Sequence, residues 1–180
     1  MSTTKKILII FLLFIVFFIS TISAIFFVSF KTSYKEFVLS ASQKNDVDSA
    51  LVFSVIKAES KFNKNAKSKA GAIGLMQIKL STANYMLDLE GEMLITENQL
   101  FQVENNIDIG VKYLKYLIKK FNNVNVAICA YNAGETIVRD WLKNSEYSTD
   151  GKTLTKIPFT ETENYLKKVN FNYKIYKKLL

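Results

Sequence analysis

Apolar residues follow two different rules along this chain. Residues 7–30 form one continuous run dominated by Ile, Leu, Phe and Val, without a single charge. As a helix, 24 residues rising about 1.5 Å each cover roughly 36 Å, enough to cross a hydrocarbon layer about 30 Å thick with some tilt. Beyond residue 31 the apolar positions recur at the helical period and never alternate strictly enough to demand a sheet. Val47, Leu51, Val52, Val55 and Ile56 predict a helix opened by Asn45 or Asp46 and closing near Glu59. Residues 61–74, rich in Lys, Asn, Ser, Ala and Gly, read as a loop. A helix is expected from about Ser81 to Gly91, and a longer one over 104–121 with Ile107, Val111, Leu114, Leu117 and Ile118 on one face. Asn122 or Asn123 starts a short apolar helix through Val126, Ala127, Ala130 and Tyr131, stopped by Gly134. Residues 135–142 add a turn or two. Thr160, with Glu163 three residues later, has the form of a capping box for a last helix presenting Tyr165, Leu166, Val169, Tyr173 and Tyr176. No internal repeat interrupts this order. The expected architecture is an all-α domain, residues 32–180, carried on an N-terminal transmembrane helix, residues 1–31.

The apolar run has a rival reading as a cleaved signal peptide, with residues 7–19 as its core. The run continues through Ile25, Phe26, Phe27 and Val28, and the best cleavage stretch, Ile22-Ser23-Ala24, lacks two small residues. Both features favour an uncleaved signal anchor. Lys5 and Lys6 precede the run and Lys31 and Lys35 follow it. A short basic N-terminus usually stays in the cytoplasm, which would put the bulk of the protein on the extracytoplasmic side of the cytoplasmic membrane.

Composition narrows the chemistry. The 180 residues carry 24 Lys plus Arg against 16 Asp plus Glu, a net charge of +8, which suits anionic surroundings such as headgroups or cell-wall polymers. The basic residues are scattered and form no aromatic-basic stripe, so nucleic acid is not an expected partner. There is no histidine and one cysteine, Cys129, which reads as a buried small hydrophobe. A disulfide framework, a multi-cysteine zinc site, a Ser-His-Asp or Cys-His centre and any histidine-ligated metal are excluded. No metal or organic cofactor is implied. Catalysis would fall to carboxylates, tyrosine, lysine or hydroxyls.

Among the carboxylates, Glu59 stands out, because it follows Ile56, Val55 and Val52 by three, four and seven residues and shares their apolar face. Burial of a carboxyl disfavours its charged form and raises its pKa toward the range a general acid needs. By periodicity alone, a helix-end glutamate reaching solvent or pairing with Lys61 is the better explanation of the position.

The surroundings of Glu59 add a pattern. The chain reads Glu59-Ser60-Lys61-Phe62-Asn63, then Ser68, Gly71-Ala72 and Gly74-Leu75-Met76-Gln77-Ile78. Asn106-Ile107 with Gly110 follows, then Ala130-Tyr131-Asn132-Ala133-Gly134, and finally Ile157-Pro158-Phe159, Glu161-Thr162 and Tyr165. In this order, over about residues 45–170, the blocks resemble the catalytic domain of the soluble lytic transglycosylases, relatives of goose-type lysozyme.

The resemblance implies a lysozyme-like α-helical fold and cleavage of the β-1,4 bond between N-acetylmuramic acid and N-acetylglucosamine in peptidoglycan. It also implies one catalytic carboxyl, at Glu59, acting as acid and then as base, with a 1,6-anhydro sugar as product. Ser68 and Gln77 fall at polar positions that bind the glycan. Tyr131 falls at the tyrosine whose hydroxyl approaches the catalytic carboxyl, Asn132 at its neighbour in the cleft, and Glu161 at an acid on the cleft margin. Leu80 stands where the family usually has proline, and Lys79 where it often has an apolar residue. A hydrolytic muramidase using the same acid, and a non-catalytic glycan-binding or scaffold module, are the other functions compatible with these residues.

Overall fold

The computed structural model describes residues 2–180, apart from the side chains of residues 8 and 22–29. The side chains of the candidate cleavage stretch Ile22-Ser23-Ala24 and of residues 25–28 lie outside what is described. Helix α1, Thr3–Ser29, belongs to a unit that ends at Thr32, and Ser33–Leu180 forms the second compact unit. Within α1, Thr3–Thr21 has a mean hydropathy of 2.2 and is long and apolar enough to cross a membrane, a criterion that a secretion signal also meets.

The second unit opens with α2, Lys35–Asn45, a helix that periodicity does not announce. Its sequence buries only Val38, Ala41 and Ser42 and leaves Phe37 and Leu39 exposed, so no apolar stripe marks it. Asn45 and Asp46 therefore end α2 instead of opening the next helix. Asp46 takes a left-handed conformation, and its N–H and that of Val47 donate back to Gln43 and Ser42. The cap of α3, Ser49–Glu59, is Asp48, whose Oδ1 accepts from the Ala50 N–H at 2.9 Å. Residues 50–56 of α3 are all buried, as expected of a helix apolar on every side.

After the 60–71 loop, β1 (Ala72–Ile73) and β2 (Ile78–Lys79) form a two-residue antiparallel ladder, Ala72 opposite Lys79 and Ile73 opposite Ile78. Strands this short carry no alternation to read. Helices α4 (Leu80–Leu89), α5 (Glu97–Leu100), α6 (Val103–Phe121), α7 (Val124–Ala133), α8 (Glu135–Lys143) and α9 (Thr160–Leu179) complete the described residues. Asn123 caps α7 through Val126 N–H, as its sequence suggests. Thr160 forms no capping box: α9 begins at Thr160 itself without a side-chain cap, and Glu163 instead pairs with Lys167 one turn on. The box occurs at Thr96 and Gln99, opening α5.

Two groups of packed helices build the core. Helix α6 packs on α2, α4 and α7, with Lys112, only 3% exposed, emerging between carboxylates. Its Nζ lies 2.7 Å from Glu90, 2.7 Å from Glu92 and 3.5 Å from Asp108. Burial would lower the pKa of that ammonium, but the hydrogen bonds to Glu90 and Glu92 and the charge of Asp108 raise it, so the group stays charged and ties down the turn after α4. Helices α3 and α9 make the most extensive pairing and run antiparallel. Buried Thr162, Tyr165, Val169, Asn172 and Tyr176 alternate at three- and four-residue steps to give α9 one continuous inner face. Asn172 donates to the Ser54 carbonyl, and Phe53 stacks on Tyr176 at 5.3 Å, which fixes the register. In that register the last turn of α3 lies beside the first turns of α9.

Candidate active site

Register decides the surroundings of Glu59. It is half-buried at the C-terminal end of α3, and the Tyr165 hydroxyl donates to its Oε1 at 2.6 Å. Burial raises the Glu59 pKa from 4.5 to about 7. The Tyr165 hydrogen bond and the Lys168 ammonium pull it down, while Glu161 adds to the rise. Lys168 Nζ donates to the carbonyl of Ala58, the residue preceding Glu59, at 2.6 Å. Glu59 opens into a cleft of about 360 Å³ together with Ser68, Gln77, Lys79, Tyr113, Tyr131 and Asn132. Among the described residues that line this cleft, Glu59 is the sole carboxylate.

The loop facing Glu59 is held by its own polar groups. Ser68 Oγ accepts from Ala72 N–H at 3.0 Å, closing the turn where Gly71 has positive φ. Gln77 adopts φ +49, a left-handed conformation that costs a non-glycine residue about 1 kcal/mol or more. Its side-chain nitrogen donates to Gly74 O at 2.9 Å and Ala66 O at 3.2 Å, which leaves the amide carbonyl as the group with capacity for a ligand donor.

Asn106, buried on α6, secures the same loop. It accepts from Met76 N–H at 2.8 Å and donates to Ile73 O at 2.9 Å and Leu100 O at 3.0 Å. A Cβ on Gly74 would lie 2.4 Å from the Asn106 side chain, and one on Gly110 would lie 2.4 Å from Met76 Sδ. The Gly-Leu-Met-Gln, Asn-Ile and Gly110 blocks are thus one packed unit with Gln77 at its edge. Lys79, exposed, sits on the cleft rim at the start of α4.

Tyr131 and Asn132 enter from the end of α7. The Tyr131 hydroxyl donates to Met76 O at 2.8 Å, and the hydroxyl hydrogen-bonded to Glu59 is that of Tyr165. Both tyrosines line or approach the same carboxylate, and burial pushes both phenols well above their ordinary pKa, the Glu59 charge adding to the effect. Asn132 Oδ1 accepts from Thr162 Oγ1 at 2.8 Å, joining α7 to α9. Glu161 is exposed in the first turn of α9, outside the residues lining the cleft. Sequence reasoning placed Tyr165 on the inner face of α9 and in the closing motif, but its partner 106 residues earlier is a product of the α3–α9 register.

A half-buried carboxyl near half-protonation, oriented by a phenol beside a groove, can hand a proton to a leaving oxygen and take one back. Residues 36–154 match the Transglycosylase SLT domain, and the chain belongs to that family. Apart from the two-residue ladder β1–β2, its helical, lysozyme-like fold is the one the resemblance implied. The chain is 35% identical over 148 residues to the soluble lytic murein transglycosylase of Salmonella typhimurium, covering 78% of this chain and 22% of that protein. It is 31% identical over 167 residues to the membrane-bound lytic murein transglycosylase C of Serratia proteamaculans, covering 81% of this chain and 47% of the relative. Among solved structures, the 70 kDa soluble lytic transglycosylase of Escherichia coli superposes with a TM-score of 0.74 at 30% identity, over 83% of this chain and 25% of that one. The lytic transglycosylase Slt of Pseudomonas aeruginosa, solved as an inactive Glu-to-Gln mutant, gives a TM-score of 0.73 at 31% identity, over 83% of this chain and 25% of that one. The chain thus spans about a fifth of the length of the Salmonella enzyme.

Proposed function

We propose that this protein is a membrane-anchored lytic transglycosylase that cleaves the β-1,4 bond between N-acetylmuramic acid and N-acetylglucosamine in peptidoglycan. The observation that carries the reading is Glu59: a cleft carboxyl with a pKa of about 7, held by Tyr165, in a domain of this family. The inactive state of the Pseudomonas relative bearing a Glu-to-Gln change supports a glutamate as the acid.

In the first step protonated Glu59 gives its proton to the glycosidic oxygen as the bond to C1 of the muramic acid breaks. With no second carboxylate lining the cleft among the described residues, the positive charge at C1 is met by the substrate's own N-acetyl group, one of the exceptions to two-carboxylate glycoside chemistry. Glu59, now ionised, removes the proton of the muramic acid 6-hydroxyl, whose oxygen bonds to C1. The acid is restored, the product is a 1,6-anhydro sugar, and no water enters. The Gln77 carbonyl, Ser68 and Asn132 bind glycan polar groups, Tyr131 shapes the wall opposite Glu59, and Glu161 acts at the margin through its charge.

Residues 1–31 serve as an uncleaved signal anchor, and residues 32–180 act on the wall from the extracytoplasmic side of the cytoplasmic membrane. The length and hydropathy of Thr3–Thr21 and the lysines before the apolar run support this, and a membrane-bound relative shares the catalytic unit. The test is incubation of wild type and Glu59→Gln with purified peptidoglycan, followed by mass spectrometry of the released muropeptides. Anhydro-muramic products from wild type alone are expected. Products heavier by one water, with reducing muramic ends, would make the protein a muramidase. Wall binding without products from either folded protein would make it a non-catalytic module.

A further inference from the structure

The aromatic lining of the cleft does not stop at its edge. From Tyr131 the rings run outward: Tyr113 at 5.3 Å between centroids, Tyr116 stacked 6.4 Å beyond it at 16°, and Tyr85 set edge-on to Tyr116 at 6.1 Å. Tyr113 and Tyr116 are one turn apart on α6. Tyr85 is three residues past Thr82, which itself lines the cleft from α4. The row therefore follows the seam between α4 and α6 away from Glu59.

Its outer end is polar as well as aromatic. Tyr85 is 47% exposed, and its hydroxyl lies 3.4 Å from that of Tyr116. The Tyr116 hydroxyl donates to Glu135 Oε2 at 3.0 Å and accepts from Lys120 at 2.7 Å. Glu135 also pairs with Lys120 at 2.6 Å and Arg139 at 3.7 Å, and it follows directly on Gly134 of the cleft wall. A sugar ring has apolar C–H faces and hydroxyl-bearing edges. Exposed phenol faces bordered by fixed donors and acceptors are its chemical complement. Helix clamping alone accounts for Tyr116 and Glu135 but leaves the open Tyr85 ring without a purpose.

We propose that Tyr85, Tyr116 and Glu135 form a distal subsite that binds N-acetylated amino-sugar rings of the strand lying beyond those held at Glu59. The protein thereby prefers long glycan strands to short fragments. Tyr85 supplies the stacking face, and the Tyr116–Glu135 pair receives hydroxyl and amide groups of the same ring. The inference rests on the transglycosylase reading for what is cut, but not for what is bound.

The test uses the full-length Glu59→Gln protein in detergent micelles, with chitotriose and chitohexaose as probes titrated calorimetrically. The parent is expected to bind the hexamer about tenfold more tightly than the trimer. Tyr85→Ala should lose about three- to tenfold on the hexamer and nothing on the trimer, while Tyr85→Phe, which keeps the ring, should match the parent. An equal loss on both oligomers, an unchanged hexamer affinity in Tyr85→Ala, or a parent with no gain from trimer to hexamer overturns the subsite. Because this readout needs no cleavage, a length-dependent binder whose wild type releases no muropeptides refutes the transglycosylase reading and leaves the subsite standing.

Discussion

Near neutral pH Glu59 stands close to the midpoint of its own titration, and both its proposed catalytic use and its cost to the fold follow from that position. The proposed first step consumes the protonated form, so kcat/KM on peptidoglycan should fall above pH 7 along a single basic limb; a rate flat to pH 9 would contradict this. The fold pays a matching penalty. The folded pKa of about 7 lies above the ordinary 4.5, so between these values the native state holds more protons than the unfolded chain. Stability therefore falls as pH rises through that window, by about 3 kcal/mol at most. Glu59→Gln cannot ionise. Its melting temperature should equal that of wild type at pH 4 and exceed it by about 6–12 °C at pH 8, checked by calorimetry at both values. Tyr165 acts on the same group in the opposite sense, since its hydrogen bond favours the carboxylate. Tyr165→Phe should move the basic limb to higher pH while lowering kcat about tenfold, because the acid becomes weaker and less well aimed.

Among the elements, the 73–78 loop depends most on one distant side chain. Removing Asn106 leaves Met76 N–H, Ile73 O and Leu100 O without this partner in a buried interior. Asn106→Ala should cost about 3 kcal/mol in urea unfolding, and activity should fall further than stability because Gln77 loses its platform. Gly110→Ala, which drives a methyl into Met76, should cost about 1–3 kcal/mol by the same assay. These motif positions were readable as an ordered set of blocks, and Glu59 by its place on an apolar face. Their division of labour was not, because periodicity reports which face is inward without saying what lies opposite. Tyr165 illustrates this: its spacing puts it on the inner face of α9, yet only packing against α3 makes it the partner of Glu59. Helix α2 was unreadable for another reason, as it buries three small or medium side chains and lacks a stripe. The mistaken box at Thr160 shares letters with a true one at Thr96, and the backbone entering each helix decides between them.

At the scale of the whole molecule, one unit holds the chemistry and the other a helix suited to a membrane. If α1 is an uncleaved anchor, the full chain should sediment with membranes through a high-salt wash, and its intact mass should retain Met1 or Ser2; release by salt or a mass lacking the apolar run would mean a processed signal. The pairing of α3 with α9 has a further consequence, for how the protein is made. Glu59 and the loop facing it emerge early in synthesis, but the phenol that aims the acid is 106 residues later, and the partners of Ser54 and Phe53 later still. At about 5–20 residues per second, that separation is a delay of roughly 5–20 s. Under the proposed function, a chain still in synthesis lacks the phenol that aims its acid, so its blade is forged first and sharpened last. On that reading, activity toward the wall should appear only once the final helix has arrived and docked.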